Sequence, residues 1–233
     1  MSPAKSFLTV HDVSHRYERR TALHECTLSL AAGQVLGLAG GNGAGKTTLA
    51  KLITGFLRPS SGRIFVDGSD PTEFRRSFGV GYLPEELSAF GNCTPLELLR
   101  VRQSVPEGPL GIDAVVQLLD LGALLHRPLR TLSKGQRRLT LTAYAVLGPS
   151  RLIVLDEPDS GLDPTAVDRL NRLIETCGRE GAAVVVLSHQ LYEMEVFCDW
   201  IAFIRAGRIA ACFDRATVAA TGARNLYRQY ALP

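Results

Sequence analysis

The chain has 233 residues, 45% of them hydrophobic and 21% charged, with a formal net charge of +3. That length suits one large domain, or a domain with a subdomain, and the apolar share is enough for a substantial core. The small net charge leaves no footprint for nucleic acid, which goes with clustered basic residues, and no apolar run approaches the roughly 18 residues of a membrane-spanning helix.

Residues 1–17 hold no apolar stretch of the signal-peptide kind, so no leader is expected and any membrane role is expected to be peripheral, through partners. The five cysteines, Cys26, Cys93, Cys177, Cys198 and Cys212, are scattered without a CxxC pair. They are expected to be reduced thiols serving as small core residues.

In chain order, residues 7–13 alternate loosely and read as a strand, followed by strands at 27–30 and 35–38 parted by the turn Ala31-Ala32-Gly33. Tyr17 falls between the first two strands. Its ring could lie flat on a nucleobase, and spacing alone allows a core or surface tyrosine equally well. Next comes Gly40-Gly41-Asn42-Gly43-Ala44-Gly45-Lys46-Thr47, which satisfies G-x-x-x-x-G-K-[ST] after a buried-type strand and before a helix at 48–56. Its glycines permit turn geometry closed to residues with a Cβ. Successive N–H groups, including those of Asn42, Gly43 and Ala44, then converge on an anion, and the helix N-terminus at Thr47 and Thr48 adds its positive dipole end. In such a loop Lys46 reaches the β- and γ-phosphates and the Thr47 hydroxyl is offered to Mg²⁺.

Residues 64–66 read as a strand closed by Asp67-Gly68, and 78–83 as another stopped by Pro84. From 85 to about 147 helical signals replace strand signals. Thr94-Pro95-Leu96-Glu97 is a helix start with its cap, proline and acid in place, and 112–119 carries apolar residues at helical spacing. Ser133 and Gln136 have capping-box spacing at the head of a further helix. Gly135 in that first turn costs up to about 1 kcal/mol of helix propensity relative to alanine, so the bare backbone is expected to serve a purpose. Residues 85–147 thus read as a helical insert, with 1–84 and 148–233 forming the α/β core.

The run Leu152-Ile153-Val154-Leu155 has the pattern of a strand buried on both faces and ends in Asp156-Glu157-Pro158. An aspartate at such a strand end holds the Mg²⁺ sphere in nucleotide hydrolases, and Glu157 could polarise an attacking water; two adjacent acids can also be solvated loop residues. Asp163-Pro164 starts a helix with Val167, Leu170, Leu173 and Ile174 on one side. Residues 183–187 form a second buried-type strand ending at Ser188-His189, where His189 could link phosphate and water or be a structural histidine. A short helix at 191–197, a hairpin of 201–204 with 208–211 around Ala206-Gly207, and a helical tail from 217 complete the reading. Internal repeats, heptads and low-complexity linkers are absent from the sequence.

The segments GGNGAGKT (40–47), LSKGQ (132–136), LIVLDEP (152–158), SGLD (160–163) and SH (188–189) resemble, in this order, the motifs of ATP-binding-cassette (ABC) ATPases. The likeness covers about residues 7–212 and is greatest to nucleotide-binding subunits of bacterial exporters. It implies an α/β P-loop NTPase fold with an antiparallel β subdomain and an inserted α-helical subdomain, and ATP and Mg²⁺ as ligands. It implies a head-to-tail pair in which Ser133, Gly135 and Gln136 touch the γ-phosphate in trans; the completeness of the motifs in one chain favours a homodimer, with a heterodimer as the alternative. Tyr17 matches the adenine-stacking position, Gly40 and Asn42 to Thr48 the nucleotide-binding loop, Asp156 and Thr47 the metal position, Glu157 the general base, His189 the switch histidine and Asp163 the D-loop aspartate. A transmembrane permease partner, no nucleic acid, and a place on the cytoplasmic face of the inner membrane follow from the same resemblance.

Three positions depart from the pattern. Gly41 replaces a proline and Lys134 a signature glycine. Glu85 stands where the family has the Q-loop glutamine, a position with both catalytic and metal roles. A carboxylate there suits Mg²⁺ as a hard oxygen ligand but adds negative charge beside the γ-phosphate, and the sequence does not decide between the two effects. A soluble relative of the same fold, serving complex assembly as in iron–sulfur scaffolds, is the alternative.

Overall fold

The computed structural model describes residues 6–18, 20–86, 91–103, 110–148 and 150–231. In chain order these form β1 (Ser6–Tyr17), β2 (Arg20–Ala31), β3 (Val35–Ala39), α1 (Lys46–Ile53), β4 (Ser61–Val66), α2 (Pro71–Phe78), β5 (Gly81–Leu83), α3 (Pro95–Gln103) and α4 (Ile112–Leu118). After two single 3₁₀ turns come α5 (Lys134–Val146), β6 (Leu152–Asp156), α6 (Pro164–Arg179), β7 (Ala183–Leu187), α7 (Leu191–Phe197), β8 (Trp200–Arg205), β9 (Arg208–Asp214), α8 (Arg215–Thr221) and α9 (Ala223–Tyr230).

The larger sheet has the order β5-β6-β7-β3-β8-β9, parallel except for the β8–β9 hairpin at its edge. A smaller antiparallel sheet, β2-β1-β4, packs on one side. Successive side chains of a strand point to opposite faces, which explains why the central strands are apolar at every position. Leu36, Leu38, Leu152, Val154 and Val185 join the core shared with the small sheet and with Leu49, Leu52 and Ile53 of α1. Ile153, Leu155, Val184 and Val186 point the other way, onto Leu139 of α5, Leu170, Leu173 and Ile174 of α6 and Met194 of α7. Burying a Leu, Ile or Val side chain contributes roughly 1.5–3 kcal/mol, so both layers press on the strands whose ends carry the polar motifs.

Several expectations are corrected. Residues 78–83 are not one strand. Asp70 caps a helix by accepting from the N–H groups of Thr72 and Glu73, Pro71 fills the first helical position, and Phe74 is buried edge-on against Phe7 at 5.8 Å. That cap converts 71–78 to helix, Gly79 ends it at φ 76°, and only Gly81–Leu83 pairs as strand. The signal was legible, since Asp70-Pro71-x-Glu73 repeats the pattern read at Thr94-Pro95. There the box forms as expected: Thr94 N–H donates to the Glu97 carboxylate at 2.8 Å, which holds that carboxyl below the ordinary range. β1 and β2 are also longer than the short strands read from the sequence, so Tyr17 ends β1, paired with Arg20.

Cys26, Cys177 and Cys198 are buried as expected, whereas Cys93 is half-buried and Cys212 is exposed; all five are free thiols. Cys212 lies on the edge strand β9, where alternate residues face outward. Among the described residues no helix is long and apolar enough to cross a membrane.

Candidate nucleotide site

The glycine-rich loop joins β3 to α1, and two of its glycines, Gly40 and Gly45, answer to close contacts. A Cβ on Gly45, which sits at φ 110°, would lie 2.6 Å from Leu23 Cδ2 and 2.9 Å from the Ala22 carbonyl oxygen; one on Gly40 would lie 2.4 Å from the Ile204 carbonyl oxygen. Gly45 therefore brings α1 to its start with no side chain capping it. The first N–H groups of a helix lack intrahelical partners, and here they open onto a cavity of about 620 Å³. That volume is in the range of small-molecule sites. It is lined by residues 41–48, by Tyr17, Arg20 and His24, and by Glu85, Asp156 and Glu157.

Lys46 is buried, its Nζ donating to the Gly40 carbonyl at 2.7 Å and more weakly to Gly41 at 3.4 Å. The Thr47 hydroxyl donates to Asp156 Oδ2 at 2.8 Å, across 109 residues of sequence. The other carboxylate oxygen of Asp156, Oδ1, is buried without a partner. Burial pushes the Asp156 carboxyl above the usual carboxylate range; the Thr47 bond opposes this, Glu85 adds to it, and Lys46 and Arg138 pull it down. A bare, buried carboxylate oxygen beside a threonine hydroxyl is a hard-oxygen donor pair. Among the described residues no group of three or more His, Cys, Asp or Glu side chains could hold a metal. Two protein donors completed by phosphates is the way Mg²⁺ is commonly held in nucleotide sites, so the residues present fit that ion.

The raised Asp156 carboxyl has a consequence for stability. A carboxyl that holds its proton more tightly in the fold than in the unfolded chain contributes stability below its unfolded pKa and loses it as pH rises through the folded value. Without ligand, the melting temperature of the wild type relative to that of Asp156→Asn should therefore fall as pH is raised above about 4, the unfolded aspartate value. A difference between the two that does not change with pH, in thermal melts from pH 4 to 7, would refute the assignment.

Glu157 sits at φ 50°, a left-handed conformation that costs a non-glycine residue about 1–3 kcal/mol. Its N–H donates to the Leu187 carbonyl at 2.8 Å, which ties it to the end of β7. Its carboxylate accepts from His189 Nδ1 at 2.7 Å; the Glu157 side chain is 12% exposed and that of His189 69%. Burial raises the Glu157 carboxyl above its ordinary range, with His189 opposing. The sheet order β6-β7 thus brings the two strand ends together. His189 meets the site through Glu157 and does not line the cavity.

Tyr17 is 43% exposed on the cavity wall, its ring edge-on to His15 at 4.7 Å. Glu85 lines the same cavity. Ser133, Gly135, Gln136 and Asp163 are elsewhere, around a second cavity of about 360 Å³. Ser133 and Gln136 form the expected capping box, at 3.1 Å in both directions. A Cβ on Gly135 would lie 2.8 Å from the Gly161 carbonyl oxygen, so the approach of the loop before α6 is one reason for the bare backbone. Asp163 caps α6 by accepting from Ala166 N–H at 2.9 Å. Nothing in the sequence pattern singles out Arg20 or His24 on the cavity wall, or the buried Arg138 behind it.

Fold and site together define a P-loop NTPase: a parallel sheet whose strand ends carry an anion loop, a threonine–aspartate pair and a second carboxylate. The chain belongs to the ABC transporter family, whose model matches residues 23–160, and within it to the ATP-binding subunits. It is 30% identical over 216 residues to the lipopolysaccharide export system ATP-binding protein LptB of Haemophilus influenzae, covering 88% of this chain and 90% of that protein. It is 31% identical to the lantibiotic transport ATP-binding protein SrtF of Streptococcus pyogenes, covering 87% and 88%. A solved ATP-binding subunit of an ABC transporter superposes with a TM-score of 0.82 at 25% identity, covering 96% of this chain and 99% of that one.

Proposed function

We propose that this chain hydrolyses ATP with Mg²⁺ and uses the cycle to drive a separate transmembrane subunit, in the direction of export. The observation that carries the reading is the bond from Thr47 to an Asp156 whose second oxygen is orphaned, one residue from the Glu157–His189 pair. Similarity to export and lantibiotic-transport ATP-binding proteins supports the transport role.

In this reading the α1 N-terminus and Lys46 bind the phosphate chain, and Lys46 trades its loop carbonyls for phosphate oxygens. Thr47 and Asp156 would hold Mg²⁺, with Glu85 as a third candidate; when bound, the ion neutralises charge between the β- and γ-phosphates. Glu157 accepts the proton of the attacking water. Its raised affinity for protons makes it a stronger base than a free carboxylate, provided it is ionised at the working pH. His189 Nδ1–H holds the carboxylate in place. Tyr17 stacks on the adenine.

The second cavity, lined by Ser133, Gly135 and Gln136, would close over the γ-phosphate of a second copy, with Asp163 at the joint. Residues 85–147 would act as the helical subdomain that carries motion to the membrane subunit, with the assembly on the cytoplasmic face of the inner membrane.

The purified chain should release phosphate from Mg²⁺-ATP, stop when the metal is chelated, and pull down a polytopic membrane protein from its own cells. Turnover without such a partner would favour a soluble assembly ATPase. No turnover under any of these conditions would refute hydrolysis.

A further inference from the structure

Arg138 lies on α5, five positions beyond the Ser133 cap, and is only 6% exposed. Its terminal nitrogens go to backbone carbonyls. Nη1 donates to the carbonyls of Pro84 and Glu85, both at 2.9 Å, and Nη2 donates to those of Asp156 and, at 2.9 Å, Glu157. One planar fork thus clamps two backbone segments, the residues after β5 and the end of β6. These are the segments on which the three carboxylates of the cavity wall are mounted.

A buried cation is expensive to desolvate, and it is tolerated here among four acids: Asp156, Asp159, Glu85 and Glu157. Lysine could supply the charge but not the geometry, since its single ammonium cannot present paired donors in a fixed plane.

We propose that Arg138 is the positioning residue of the hydrolytic site, locking Glu85, Asp156 and Glu157 in register and tying them to the helix that begins at Ser133. The inference rests on the hydrolysis proposed above and deepens it. A shift of α5 would pull through Arg138 on both carboxylate-bearing segments at once. Ligand contact at the Ser133 end and the aim of Glu157 are therefore mechanically one event.

The two parts of the role separate by substitution. Arg138→Lys keeps the charge and loses the fork. Its kcat, counted per nucleotide-binding site, should fall about 10–100-fold, the scale of an ångström's misplacement, with KM changed less than about threefold. Arg138→Gln loses both.

The kcat of Arg138→Gln, counted the same way, should fall at least as far, again with KM changed little, whereas a structural defect alone lowers the number of working sites and leaves kcat per site in place.

Amide exchange of Glu85, Glu86, Asp156 and Glu157, measured without nucleotide, should speed up in Arg138→Lys whether or not turnover is detected. Wild-type turnover tests hydrolysis itself; the variants, measured against wild type, test Arg138. Wild-type kcat in Arg138→Lys or in a folded Arg138→Gln, or unchanged exchange, would each overturn the assignment.

Discussion

Glu157→Gln is expected to bind ATP as the wild type does and to turn it over about 10²–10⁴-fold more slowly, a loss of roughly 2.7–5.5 kcal/mol of transition-state stabilisation. The substitution is nearly isosteric. The glutamine oxygen can still accept from His189 Nδ1, which now donates to the carboxylate at 2.7 Å, so the loop after β7 should keep its place. The capacity to take a proton from water is lost. With binding intact and hydrolysis blocked, the variant should accumulate as an ATP-bound dimer, read by light scattering with and without Mg²⁺-ATP. Undiminished phosphate release would move the base elsewhere, with Glu85 another carboxylate lining the cavity. Loss of ATP binding would instead make Glu157 a structural residue.

Lys46→Ala is expected to lose at least about 10²-fold in turnover, the scale seen when one preorganised electrostatic donor is removed, and to weaken ATP binding as well. Lys46 is held by the carbonyls of Gly40 and Gly41 in a buried position. It is therefore aimed before ligand arrives, and alanine leaves those carbonyls without their donor. Lys46→Arg should recover little, since a wide planar guanidinium does not fit where a compact ammonium is enclosed. Titration with a fluorescent ATP analogue and a phosphate-release assay check the two losses separately. Wild-type values in both would overturn the role of the loop lysine.

Much of this site was legible residue by residue. The anion loop was readable because turn geometry depends on glycines a few positions apart, and Gly40 and Gly45 prove to be where a Cβ would collide. The Ser133–Gln136 box and the Asp163 cap were readable because a cap and its helix are neighbours in sequence. The same kind of signal at Asp70 identifies α2, and reading Phe78 as strand ignored it in favour of a short apolar run. Cys212 was misplaced for a different reason: an edge strand exposes alternate residues whatever their polarity.

Sequence alone therefore determined the family, the glycine-rich turn and the acids that close the apolar strand, because each is written in residues within a few positions of one another. The tertiary structure decided which of them meet. Thr47 and Asp156 are 109 residues apart and Glu157 and His189 are 32 apart, and they touch because β6, β7 and β3 lie side by side in the sheet. Arg138 acquires its role only when the ends of β5 and β6 arrive together over α5. Strand order is chosen by the burial of two apolar faces over the whole sheet, and no local pattern encodes it.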